Sequence, residues 1–163
     1  MPEQVTEVGS MRALGVNGAG DTLWLACADD GELVDLDPYS FKLPAGLERG
    51  EGLRAGVEEL AAILKRVAPD VVALQEPETS QATYQSLVPR MSVEIVLEFA
   101  AAEAGVEMRR VSRAKLRSLL GLPRSGAVSS YSSEVISKPQ NPHWAKKREI
   151  AAMSAVACSK DDA

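Results

Sequence analysis

The chain has 163 residues, with 18 Lys and Arg against 23 Asp and Glu for a formal net charge of −5, and 45 % of it is apolar. That length supports one domain with a real hydrophobic core, and that balance excludes wholesale disorder. No run approaches the ~20 apolar residues of a membrane span. A single histidine, His143, excludes a multi-histidine zinc site, and two cysteines, Cys27 and Cys158, form no disulfide framework and fit a reducing, cytoplasmic compartment.

Residues 1–10 read as a flexible lead-in, residues 11–158 as a single domain and residues 159–163 as a frayed end. Residues 12–17 (RALGVN) form a strand that runs into the turn Asn17-Gly18-Ala19-Gly20, where glycine permits positive φ. Residues 22–28 (TLWLACA) form a second strand, Asp29-Asp30-Gly31-Glu32 a hairpin turn, and residues 33–36 the returning strand. Residues 38–52, rich in Pro and Gly, read as an irregular connection. Leu53, Val57, Leu60, Ala61 and Leu64 then make one stripe of a helix over 53–67, and Pro69-Asp70 stops it. Residues 71–74 (VVAL) are wholly apolar, as a buried parallel strand requires.

A long helix follows over 86–104, with Met91, Ile95, Phe99 and Ala102 expected inward and Gly105 at its end. Residues 106–111 alternate as the last strand; Ser112 caps a short helix that Gly121 closes. Residues 126–141 read as a flexible loop. Residues 142–158 form the final helix, with Ile150, Met153, Ala157 and Trp144 inward. The order predicts an α/β fold: a five-stranded mixed sheet, three antiparallel strands then parallel ones, with helices on both faces.

Charge is unevenly spread. Residues 1–105 carry 7 basic and 18 acidic side chains, a net of −11, whereas residues 106–150 carry 10 basic and 3 acidic, a net of +7. A basic third on an acidic body is the pattern of a local surface for a polyanion. Its candidates are Arg109, Arg110, Arg113, Lys115 and Arg117, which straddle the last strand and the capped helix, and Lys146, Lys147 and Arg148, in the first turn of the final helix. Cations at a helix N-terminus oppose its dipole, which favours an acidic ligand or partner there. The bland alternative is a solvated helix face. Tyr131, His143 and Trp144 lie in or beside the segment that precedes the final helix. An aromatic there could stack on a base or anchor the helix.

The strand-turn LGVNGAG, the strand PDVVALQEP, the helix VSRAKLRSLLG and the closing helix REIAAMSAVAC together resemble the ribonuclease-H-like superfamily, specifically the RuvC-type Holliday-junction resolvases. The resemblance covers residues 11–158 and implies a three-layer fold. It also implies dimers that act on branched DNA with a pair of divalent metals about 4 Å apart, caged by carboxylates. In that family the first strand ends Gly-[Ile/Val]-Asp-Pro-Gly, a central strand reads Pro-Asp-x-x-Ala-[Ile/Leu]-Glu, and the last helix opens Asp-x-x-Asp.

Carried over residue by residue, those four acids fall on Asn17, Gln75, Arg148 and Ala151. None is a carboxylate. Magnesium prefers charged oxygen ligands, so the resemblance implies a silenced nuclease with a vestigial pocket and no metal or other cofactor. Nucleic acid, DNA or RNA, would then bind through the old cleft. The alternative is an active Mg²⁺-dependent endonuclease that uses the neighbouring acids Asp21, Glu76 and Glu149, although Glu76 replaces Gln75 only through a bulge or a change of register. A third reading is a regulatory module that binds a protein partner and no polynucleotide. None of the three involves a membrane, and each is compatible with a homodimer.

Overall fold

The computed structural model describes residues 10–77, 83–136 and 146–160. Strands β1 (Arg12–Ala19) and β2 (Thr22–Asp29) form an antiparallel hairpin, extended by β3 (Glu32–Val34) and β4 (Ser40–Lys42), which both pair with β2. On the other side of β1, strands β5 (Val71–Gln75) and β6 (Glu107–Val111) run parallel, giving the order β3-β2-β1-β5-β6. Helix α1 (Arg49–Val67) crosses from the meander to β5, and α2 (Tyr84–Ala104) crosses from β5 to β6. Beyond β6 come α3 (Arg113–Leu120), a single 3₁₀ turn at Val128–Tyr131, the short α4 (Ser132–Val135) and α5 (Lys146–Ser159).

Strand periodicity sorts the core into two faces. Leu14, Val16, Leu23, Leu25, Val72 and Leu74 point to α1 and α2. Ala13, Ala26, Ala28, Val71 and Ala73 point to α5, which α3, α4 and the 3₁₀ turn cover from outside. The result is the expected three layers around a mixed sheet. Small residues on the second face let α5 lie close. A Cβ at Gly15 would fall 1.8 Å from the carbonyl oxygen of Ala151, so that contact exists only with glycine. Arg12 fastens the start of β1, donating to Asp29 at 2.7 and 2.9 Å and to the Val67 carbonyl at 2.9 Å. The hydrogen bond from Arg12 holds the Asp29 carboxyl below its ordinary range. Burial pushes the Cys27 thiol up to about 11.

Several boundaries depart from the sequence reading. The connection over 38–52 contains the sixth strand, β4, where Ser-Phe-Lys alternates and Phe41 is buried. Helix α1 starts four residues early; Gly50 and Gly52 in its first turn hid the start, glycine being a poor helix former. Helix α2 presents the opposite face: Val93, Val96, Leu97, Ala100 and Ala101 are buried, while Met91, Ile95 and Phe99 are 53, 47 and 63 % exposed, and Ala102 is exposed as well. That helix is apolar all round, so period alone does not choose a face, and close packing on α1 selects the smaller residues.

The loop predicted over 126–141 contains the 3₁₀ turn and α4, because Val128, Tyr131, Val135 and Ile136 pack against α5. Ser112 and Gly121 cap α3 as expected: the Ser112 hydroxyl accepts from the Lys115 N–H at 3.0 Å, and Gly121 takes φ 64°. The beginning of the final helix as read, with His143 and Trp144, lies outside the described residues, as do residues 1–9 and 161–163. Among the described residues no helix is long and apolar enough to cross a membrane.

Candidate functional site

Strands β1 and β5 end side by side, with Asn17 and Gln75 as register partners. Alternation from Ala13 and Gly15, and from Val71 and Ala73, turns both side chains toward α5. Both are buried, Gln75 completely. Their amide nitrogens are committed. Asn17 Nδ2 donates to the Lys147 carbonyl at 2.9 Å, and Gln75 Nε2 donates to the Val111 carbonyl at 2.7 Å. Gln75 Oε1 accepts from the Ser154 hydroxyl at 3.3 Å, whereas Asn17 Oδ1 is buried with no donor among the described residues. An ionised carboxylate has no N–H to offer those two carbonyls, so the amides do what acids could not.

The other two carried-over positions do not join them. Arg148 is buried, reaches across the sheet to donate Nε to the Leu25 carbonyl at 2.9 Å, and lays its guanidinium 5.3 Å over the Tyr39 ring. Burial pulls its pKa below the ordinary value. Ala151 is buried against β1 at Gly15.

The alternative acids scatter. Asp21 is 67 % exposed in the hairpin turn, 3.8 Å from Lys42. Glu76 lies just past β5, where its N–H donates to the Val111 carbonyl at 2.8 Å. Glu149 is buried and turned toward α4, accepting from the Ser132 hydroxyl at 3.2 Å. One acid that the sequence reading passed over does sit near the strand ends. Glu94 on α2 is buried beside Gly18 and takes Arg90 Nε at 2.8 Å, while Arg90 Nη2 donates to the Gln75 carbonyl at 2.9 Å. The signal was the Arg-Glu spacing of four on a helix.

Solved structures share the fold. The chain is similar to Thermus thermophilus RuvC in complex with a Holliday junction substrate, at 17 % identity and TM-score 0.67 over 90 % of this chain and 91 % of that one. It is similar also to a second Thermus thermophilus RuvC structure, at 16 % identity and TM-score 0.68 over 90 % and 92 %. The yeast mitochondrial Holliday junction resolvase matches at 12 % identity and TM-score 0.58 over 92 % of this chain and 77 % of that one. No family model and no curated protein matches the chain.

The chain has the ribonuclease-H-like fold of RuvC. The resemblance seen in its strand and helix sequences therefore holds at the level of architecture. The metal pair that the resemblance implied for a RuvC-type fold does not fit these residues: Gln75 offers a neutral oxygen already hydrogen-bonded to Ser154, Asn17 a neutral oxygen as well, and Arg148 and Ala151 no carboxylate. Among the described residues no three His, Cys, Asp or Glu side chains stand close enough to hold a metal ion.

The basic residues of this RuvC-type fold divide into committed and exposed sets. Arg109 pairs with Glu107 at 2.8 Å, and Arg110 pairs with Glu98. Arg117 donates to the carbonyls of Pro123 and Gly126, folding the segment after α3. Arg113 is half-buried. Lys115 and Lys147 are exposed, as is Arg124, which the reading omitted. Lys146 opens α5. Beside α3 an open groove of about 700 Å³ is lined by Ala114, Arg117, Ser118, Gly121, Leu122 and Arg124. Tyr131 packs into the α5 core and donates its hydroxyl to the Ser125 carbonyl at 2.8 Å, so it anchors rather than stacks.

Proposed function

We propose that this chain binds nucleic acid through the end of the sheet where β1 and β5 stop, and that it does not cut what it binds. The observation that carries the reading is the Gln75 amide, fully buried and spent on Val111 and Ser154 where a metal-binding glutamate would be needed. Asn17, Arg148 and Ala151, the other positions that the resemblance assigns to acids, carry no carboxylate either. Lys115, Lys147 and Arg124, the last on the groove beside α3, supply exposed positive charge for phosphates on a chain that is acidic elsewhere. That one of the similar RuvC structures holds a Holliday junction supports a branched DNA as the ligand.

The functional unit we propose is a homodimer of one ribonuclease-H-like domain per chain. Its support is the outward stripe of Met91, Ile95 and Phe99, spaced by four on α2, beside an apolar groove lined by Pro77, Leu87 and Met91. A two-fold axis near Ile95 sets each Phe99 over the other copy's Met91, a self-complementary contact.

Sedimentation velocity with fluorescently labelled branched DNA at about 50 mM salt tests both parts, phosphate contacts being strongest at low salt. A dimer that carries the DNA with it is expected, with the complex dissolving as salt rises. Free DNA at saturating protein contradicts the binding, and a monomeric protein contradicts the pairing.

A further inference from the structure

We infer that Trp24, Tyr39 and Arg148 form a platform on which an unpaired nucleobase stacks. This rests on the nucleic-acid reading above and names the contact that reading lacks. Trp24 stands directly across from Asn17 in the β1–β2 register, on the same α5-facing side as Ala26 and Ala28. Its ring lies 6.3 Å from that of Tyr39 at an interplanar angle of 17°, an offset stack. The Arg148 guanidinium covers Tyr39 at 5.3 Å, and its Nε bond to the Leu25 carbonyl fixes the plane. Three flat groups thus make a column beside the closed end of β1.

An ordinary structural role predicts that such rings fill a core. Among the described residues neither ring is part of the two apolar cores, and both are partly exposed. The chain has only two Trp and three Tyr, so the pair spends much of its aromatic content outside the core. A partly exposed indole braced by a second ring and a fixed guanidinium suits a flat, apolar, polarisable ligand. Lys147 is exposed one residue before Arg148, and Lys42, 3.8 Å from Asp21, is exposed on the strand that pairs with that of Trp24, so a cation stands on each of the two neighbouring elements. A flat group tethered to phosphates is a nucleotide. The bases of a continuous duplex are already stacked on each other, so the ligand is an unpaired base in a single strand, a loop or a branch point.

The test uses the full chain with Trp144→Phe, which leaves Trp24 as the single tryptophan, titrated with single-stranded oligonucleotide and followed by indole fluorescence and by anisotropy of the labelled strand. Quenching of Trp24 that saturates together with the anisotropy is expected. In the wild-type background, Trp24→Leu is expected to weaken binding about 5- to 150-fold without changing its salt dependence, the range for loss of one base–aromatic stack. Trp24→Phe, which keeps a ring, should retain most of the affinity. Binding with unquenched Trp24 overturns the platform while leaving the nucleic-acid reading intact, as does full affinity in Trp24→Leu. Absence of any binding at low salt overturns both. Quenching is read on a protein with Trp24 in place, so it decides the matter even where Trp24→Leu does not fold.

Discussion

Gly15→Ala should cost about 4 kcal/mol of stability or abolish folding, the largest effect expected of any single methyl group in this chain. The added Cβ would meet the Ala151 carbonyl oxygen at 1.8 Å and the Ala155 nitrogen at 2.8 Å. Both are backbone atoms of one helix, so no rotamer change relieves the overlap. Helix α5 would have to lift by more than 1 Å, roughly the shortfall from a normal contact. Lifting it empties the space around Ala152, Ala155 and Val156, all of them buried between sheet and outer helices. Overpacking normally costs about 1–3 kcal/mol, and an immovable neighbour puts this site above that range. Gly20→Ala is the control: nothing lies within 4 Å of its Cβ position, and only a φ of 58° opposes it, which costs about 1 kcal/mol. Urea unfolding followed by circular dichroism compares the two. Equal midpoints would mean that α5 does not lie on β1 at Gly15.

Gln75→Glu should be nearly silent in acid and costly at neutral pH. A protonated Glu keeps the shape of Gln and offers an O–H to the Val111 carbonyl, so the hydrogen bonds survive. An ionised one places a charge in a fully buried site, against that same carbonyl, with only the Ser154 hydroxyl to donate to it. Burial therefore raises the folded-state pKa of this Glu above its unfolded value of about 4.3. Stability is then complete below about pH 4 and falls as pH rises toward the folded pKa, by up to about 1.4 kcal/mol per pH unit. A loss of roughly 3–4 kcal/mol by about pH 7.5 follows. Unfolding midpoints of variant and wild type at about pH 4.5 and pH 7.5 give the difference directly. Millimolar Mg²⁺ should not restore the neutral-pH loss, because no cluster of further acids among the described residues could complete a metal cage. Restoration by Mg²⁺ would show instead that the pocket still accepts a cation.

The parts of the fold that were readable in the sequence share one property: their signal is local. Alternation along β1, the apolar VVAL run of β5, and the Ser112 and Gly121 caps of α3 each depend on residues a few positions apart. The pairing of Asn17 with Gln75 was also within reach, since each ends a recognisable strand. What was not readable depends on how distant elements meet. Helix α2 is apolar on both sides, so only its packing on α1 decides that Phe99 faces out and Val96 faces in. Strand β4 is three residues long and exists because Ser40–Lys42 finds the start of β2. Without β4 nothing in the sequence brings Tyr39 to Trp24, and without the helix–sheet geometry nothing sends Arg148 across to cover it. Glu94 shows the same limit in reverse: an ordinary i,i+4 ion pair with Arg90 becomes a buried bridge to Gln75 only once α2 lies over Gly18.

Incubating the purified chain with labelled branched DNA, linear duplex and RNA, in Mg²⁺ or Mn²⁺, tests most directly whether amides have replaced a nuclease centre. Strands that are shifted in a native gel yet intact under denaturing conditions are the predicted result. Metal-dependent fragments that disappear in Glu76→Ala would contradict it, and would identify the half-buried acid after β5 as a working ligand.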